Sequence, residues 1–224
     1  MRLTYLGHSA VLIETSGHRL LIDPFLTGND RASASAEELT ADYILLSHAH
    51  GDHVGDTESI ARRSGSTVVA TVEICNHLAK QGLNVFGMNI GGSHEFPFGR
   101  VKLTPAWHSS SFGDGTYGGM PSGMVIEAGG KRIYHAGDTA LFGDMELIGA
   151  GGLDLAFLPI GGNFTMDPQD AAQAAALLSA SRVVPIHYDT FEVIRQDPHE
   201  FRRAVEAVDA GECLIMEPGR TVEL

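Results

Sequence analysis

Cysteine is scarce in this chain: Cys75 and Cys213 stand alone among 224 residues, far apart and outside any CxxC pair. That excludes a disulfide-stapled scaffold and a cysteine-based metal site, and it suits two small core residues in a reducing compartment. Basic charge is scarce too, with 15 Lys and Arg against 28 Asp and Glu, and no basic run longer than Arg62-Arg63 or Arg202-Arg203. Nucleic acid is held by several cations that release counterions, so a surface of net charge −13 is expected to repel it. No window approaches the run of about 18 apolar residues that a membrane span needs, and Met1 to His8 lacks the apolar stretch of a signal peptide. The expectation is a cytoplasmic protein with no nucleic-acid or membrane partner. Composition leaves a homo-oligomer open.

Apolar residues are not scarce. At 43% hydrophobic, the chain can bury a full core without staples, and residues 1–224 are expected to form a single domain. Strand-like runs cover 3–6, 10–14, 19–22, 43–46, 67–70, 101–106, 123–127, 132–134, 153–158, 183–186 and 213–216, with helical patterns between many of them. Two helix starts, Asp167-Pro168-Gln169-Asp170 and Asp197-Pro198-His199-Glu200, each pair an Asp cap with Pro at the first helical position, which predicts helices over 168–180 and 198–208. A weak internal repeat also appears. Ser9 to Leu20 matches Ser122 to Ile133 without a gap, each copy reads as a hairpin with a glycine-containing turn, and each runs on to an aspartate, Asp23 or Asp138. If the repeat is real, two similar halves pack sheet to sheet and gather their polar ends along one edge.

The densest chemistry is His48-Ala49-His50-Gly51-Asp52-His53, directly after the apolar run Tyr43-Ile44-Leu45-Leu46. Three imidazoles and a carboxylate on the turn after a strand are ligands for a borderline divalent cation, held by the sheet behind them. Further ligand-type residues follow apolar strands in the same way: Asp23, His108, Asp138 and His187. One such residue alone is more often a satisfied polar group, but five sites obeying one rule point to a metal centre.

Taken in order, Asp23, the HxHxDH run at 48–53, His108, Asp138 and His187 resemble the ordered motifs of the metallo-β-lactamase superfamily over nearly the whole chain. His108-Ser109-Ser110, Gly119 to Gly123, Gly137-Asp138-Thr139 and Gly161 to Met166 look like a subfamily of small metal-dependent hydrolases related to ascorbate 6-phosphate lactonase. The resemblance implies an α/β fold, an αβ/βα four-layer sandwich of two mixed β-sheets with a dinuclear centre at its edge. It implies a first metal held by His48, His50 and His108, a second by Asp52, His53 and His187, and Asp138 bridging them. Asp23 stands behind, orienting a ligand imidazole. Zinc is the first choice for the two divalent ions, and manganese, iron and nickel suit the same ligands.

The leading function is hydrolysis of a small anionic ester, lactone or phosphodiester by a metal-bridging hydroxide, with Asp52 shuttling a proton. Asn163 offers either an amide donor to the developing oxyanion or a turn cap. The glycine- and hydroxyl-rich segment Ser109 to Ser122 reads as a pocket-shaping loop, with a free surface loop as the alternative. His8 and His135 fall near the expected edge and either could face the site. A zinc β-lactamase is disfavoured because it uses Cys where Asp138 stands. A tRNA-processing nuclease wants a basic arm, a hydroxyacylglutathione-type glyoxalase a longer C-terminal helical domain, and a flavodiiron reductase a flavodoxin-like domain. The alternative from another class is a non-catalytic, metal-stabilised binding or sensing protein.

Overall fold

The computed structural model describes residues 1–224, and its strands segregate into two mixed sheets of seven. The first sheet holds β1 (Arg2–Gly7), β2 (Ala10–Thr15), β3 (His18–Ile22), β4 (Tyr43–Leu45), β5 (Thr67–Thr71) and β6 (Asn84–Met88), with β14 (Thr221–Glu223) beside β1. The second holds β7 (Ser93–Phe96), β8 (Gly99–Pro105), β9 (Ser122–Ala128), β10 (Lys131–His135), β11 (Leu155–Pro159), β12 (Arg182–Ile186) and β13 (Glu212–Cys213) in that order. On the outer face of the first sheet lie α1 (Gly51–Val54), α2 (Thr57–Ser64) and α3 (Val72–Lys80), and on that of the second α4 (Met145–Gly149), α5 (Pro168–Leu178) and α6 (Pro198–Ala207).

Strand periodicity explains the layering. On β2, Val11 and Ile13 enter the core between the sheets while Ala10 and Leu12 enter the core under the first sheet's helices. On β11, Leu155 and Phe157 join the same central core while Ala156 and Leu158 face the helices of the second sheet. Alternate residues therefore bury on opposite faces, and a strand covered on both sides reads as a continuous apolar run. The outcome is the αβ/βα sandwich expected from the resemblance. No helix is long and apolar enough to cross a membrane.

The repeat is structural. In the first hairpin Ile13, Glu14 and Thr15 pair with Leu20, Arg19 and His18, and in the second Ile126, Glu127 and Ala128 pair with Ile133, Arg132 and Lys131, the same register at the matched positions. Each hairpin's second strand then pairs in parallel with the next strand of its half, β3 with β4 and β10 with β11.

Both Asp-Pro helix starts form as expected. The Asp167 carboxylate accepts the Asp170 N–H at 2.9 Å and the Asp197 carboxylate accepts the His199 N–H at 2.9 Å. Three strands were not expected, namely β6, β7 and β14. All are sheet-edge strands in which, apart from Met88 of β6, every side chain is half-exposed or exposed, so their apolar signal is thin. The run 213–216 keeps only Cys213 in a strand, although Leu214 still donates its N–H to Val183.

Candidate metal centre

Strands β1, β3, β4, β8, β10 and β12 all end on one edge of the sandwich, and the residues that follow them turn inward there. Three of those residues adopt left-handed backbone conformations without being glycine: His8 after β1 (φ 55°), Asp23 after β3 (φ 42°) and His187 after β12 (φ 56°). Such a conformation costs about 1 kcal/mol or more and persists where the surroundings dictate it, often at functional sites. Gly55 solves a packing problem of the same kind. A Cβ there would sit 2.3 Å from the Pro24 carbonyl oxygen, so only glycine lets the turn at 48–55 close against the segment carrying Asp23.

The structure brings all seven expected ligand residues together. His48, His50 and His108 form one group and Asp52, His53 and His187, joined by His8, another, with ligand atoms in each within 4.8 Å of one another. Asp138 lies between the groups. Its Oδ2 is 3.6 Å from His108 Nε2, 4.0 Å from His48 Nε2 and 3.0 Å from His187 Nε2, and its Oδ1 is 3.3 Å from His53 Nε2. Yet His53 Nε2, Asp138 Oδ1 and His187 Nε2 are buried and make no well-directed hydrogen bond, meeting only as ion-pair contacts at 3.3 Å and 3.0 Å around Asp138. Buried polar atoms are nearly always satisfied, and leaving one unpaired costs about 1–3 kcal/mol. Unpaired imidazole nitrogens and carboxylate oxygens converging on one point are what a divalent cation would satisfy, so the residues present fit the metal that the resemblance implies.

The ligands are aimed from behind. The Asp23 carboxylate accepts the Ser47 N–H at 2.8 Å, the Ser47 hydroxyl at 2.6 Å and His53 Nδ1–H at 2.8 Å, leaving His53 Nε2 to face the centre. The Ser47 hydroxyl oxygen also accepts from His48 Nδ1 at 3.0 Å, which fixes the second ring in the same sense. Asp23 thus performs the orienting role expected of it. Ser47 went unrecognised, and its one signal was its place between the apolar run and the first histidine.

Charge divides the two groups. Burial, reinforced by His53, holds His48 well below its usual pKa, and burial likewise lowers His50 and His108, so these three are neutral lone-pair donors. For His53 and His187 burial is outweighed. Asp138 and Asp23 raise His53 well above the ordinary value, and Asp138 and Asp52 raise His187 to about 9. The carboxylates respond in kind: against the effect of burial, His187 and His53 hold Asp138 well below the usual range, and His187 and His8 do the same for Asp52.

His8 belongs to the site and His135 does not. Burial, with His187 adding to it, lowers His8 to about 4, so the ring is neutral. Its Nε2–H donates to Asp52 at 3.2 Å and its Nδ1 pairs with the Thr190 hydroxyl at 2.9 Å, while its carbonyl accepts the His187 N–H at 2.8 Å. His135 instead donates from Nε2 to the Ser9 carbonyl at 3.0 Å and accepts the Gly137 N–H at Nδ1, a tie between the halves.

A cavity of about 310 Å³ opens over the centre, lined by His50, Asp52, His108, Ser109, Asp138, Phe164, His187 and Phe191. Asn163 is exposed and outside that wall; its turn reaches the cavity through Phe164. The segment 109–122 is no free loop. Ser110 accepts the Ala49 N–H, Gly118 accepts the Thr71 hydroxyl, Ser122 donates to Ser47, and Phe112 stacks on His77 at 3.8 Å. A Cβ on Gly118 would meet Ala49 at 2.2 Å, so this glycine permits close docking of a segment whose Ser109 lines the cavity. Cys75 and Cys213 lie outside the cavity wall, and burial pushes each thiol up to about 11.

A sequence profile of the beta-lactamase superfamily domain matches residues 18–188. A UPF0173 metal-dependent hydrolase of Thermus thermophilus is 56% identical over 221 residues, covering 98% of this chain and 97% of that relative. Another from Pelotomaculum thermopropionicum is 52% identical over 229 residues, with both chains covered in full at 100%. Among solved structures, Igni18, described as a novel metallo hydrolase from the archaeon Ignicoccus hospitalis, superposes with a TM-score of 0.91 at 42% identity, covering 99% of this chain and 97% of its own. The chain belongs to the beta-lactamase superfamily and, within it, to the UPF0173 metal-dependent hydrolases.

Proposed function

We propose that the protein hydrolyses a small ester, lactone or phosphodiester at a pair of divalent cations. The observation that carries this reading is the set of buried donor atoms around Asp138 that lack directed hydrogen bonds, flanked by one neutral and one charged group of ligands. His48, His50 and His108 would hold one cation, Asp52, His53 and His187 the other, and Asp138 would join them. Such a pair supplies Lewis acidity and a water of lowered pKa. Imidazole and carboxylate suit zinc, manganese, iron and nickel alike.

The chain's own residues supply the rest. Asp52 is partly exposed on the cavity wall and is held ionised by His187 and His8, so its free oxygen would act there as a proton acceptor. Asp23 and Ser47 fix the imidazoles so that little reorganisation accompanies reaction. The centre carries two carboxylates, so two dications would leave it positive and attractive to one compact anionic group. The surface charge of −13 works against an extended polyanion.

Turnover of p-nitrophenyl esters and bis(p-nitrophenyl) phosphate, measured alongside metal content, tests the proposal. Activity should rise with bound metal, vanish on chelation and return on reconstitution. Activity independent of metal content, or a fully loaded protein that turns over neither class, would contradict it.

A further inference from the structure

Seven of the nine exposed large apolar side chains stand on segments that leave or enter strands at the metal-centre edge; only Leu147 and Val208 lie elsewhere. Two of the seven, Phe164 and Phe191, line the cavity itself. Phe191 is fixed, its ring packed edge-on against His8 at 5.6 Å and tilted against Phe25 at 6.2 Å. Phe164 stacks on no other aromatic ring and is 56% exposed. A fixed and a free phenyl face beside a reaction centre are an apolar subsite, because an aromatic ring in water recovers free energy when an apolar group covers it.

Just as telling is what the wall omits. No lysine or arginine lines the cavity, and its one hydroxyl, Ser109, lies 3.3 Å from the ring nitrogen of His50. Ser110 and Ser122, hydroxyls that could have held a sugar or phosphate, are committed to backbone partners. A second negative charge on a substrate would therefore lose water and find no fixed cation, in a chain already carrying −13. One hydrolysable group can meet its counter-charge at the metals, but a phosphorylated sugar would bring a charge with no partner.

Resting on the hydrolase reading, we propose that Phe164 and Phe191 form a specificity subsite selecting esters or phosphodiesters with a single reacting group and an uncharged aryl or branched-alkyl substituent. In the reaction, water's oxygen bonds to the carbonyl carbon or phosphorus, the C–O or P–O bond to the leaving group breaks with its electron pair, and the water's proton ends on the leaving oxygen. The substituent stays on the phenyl faces throughout.

The test uses three phosphodiesters sharing a p-nitrophenolate leaving group and differing only in the other ester: methyl, phenyl and 4-carboxyphenyl. With the metal-loaded full chain, the phenyl compound should exceed the methyl in kcat/KM by about tenfold or more, and the added carboxylate should remove most of that advantage. Phe164→Ala combined with Phe191→Ala should bring the phenyl-to-methyl ratio within about threefold. Calorimetric binding of phenylphosphonate and methylphosphonate to the same proteins reads the subsite without turnover. If no diester is cleaved but phenylphosphonate binds more tightly in a Phe-dependent way, the hydrolase reading fails and the subsite stands. Equal binding of the two phosphonates by the wild type, or a preference untouched in the double variant, overturns the subsite. Phe164→Leu with Phe191→Leu, which keeps apolar bulk, should retain part of the preference and guards against misfolding as the explanation.

Discussion

The two halves of the molecule share a scaffold and differ in what they hang on it. Each opens with a hairpin of matched register, β2–β3 or β9–β10, followed by a parallel strand, β4 or β11. At the equivalent strand ends the sequences part. After β4 come His48, His50, Asp52 and His53, and after β11 come Gly161, Gly162 and Phe164. The first half thus concentrates metal ligands on one turn. The second gives single ligands from three strands, His108, Asp138 and His187, together with both phenyl walls. A sheet edge fixes where side chains can converge, while the chemistry is set by a few residues on the turns.

The sharpest way to break this comparison is at the shared ligand. Asp138→Ala should remove most metal from both sites, because Asp138 touches imidazoles contributed by each half. Elemental analysis would show it, and full metal retention would remove Asp138 as the joint.

The charge asymmetry gives the next largest effect. His48, His50 and His108 are neutral near pH 7, so a cation there displaces no proton. His53 and His187 are protonated in the metal-free protein, with His187 at about 9, so loading the second group must release protons and tighten as pH rises toward 9. The same shift gives the metal-free protein a contribution to stability that is complete below the unfolded histidine pKa of about 6.5 and fades as pH rises through 9. Calorimetry in buffers of different ionisation enthalpy would count the protons. Loading of both sites with equal proton release would show that the two ligand groups do not differ in this way.

Smaller effects belong to the residues behind the ligands. Asp23→Asn should weaken metal affinity or activity by about 10- to 100-fold without unfolding, since it keeps the shape and alters what His53 and Ser47 meet. His8→Ala should cost less, about tenfold in affinity at the second site alone, because it frees Asp52 but leaves the backbone bond to His187 in place. Unchanged affinity in either variant, followed by titration with a spectroscopically visible divalent ion, would reduce that residue to a packing role.

Much of this was legible in the sequence, for identifiable reasons. Strands buried on both faces, such as Ala10–Thr15 and Leu155–Pro159, announce themselves as apolar runs, and ligands at their ends follow one positional rule. Ser93–Phe96 and Thr221–Glu223 are short exposed edges, where few apolar residues are required. The segment 109–122 left a pocket-shaping and a free-loop reading both open, because its glycines signal conformational freedom equally well whether the backbone moves or, as at Gly118, packs too closely for a Cβ. Asn163 was singled out for its amide, and its neighbour Phe164 proved to face the cavity, since side-chain direction on an irregular turn has no periodicity to read. His8 lay outside the ligand motifs. Its place beside Asp52 depends on a left-handed turn after β1 that composition does not announce.

A centre that holds two cations joined by Asp138 is tested most directly by the metal content of the protein purified without chelator. The arrangement predicts about two divalent ions per chain, falling toward zero when Asp138 is replaced by alanine. A wild-type content of one ion or fewer after reconstitution with excess zinc, manganese, iron or nickel would contradict it.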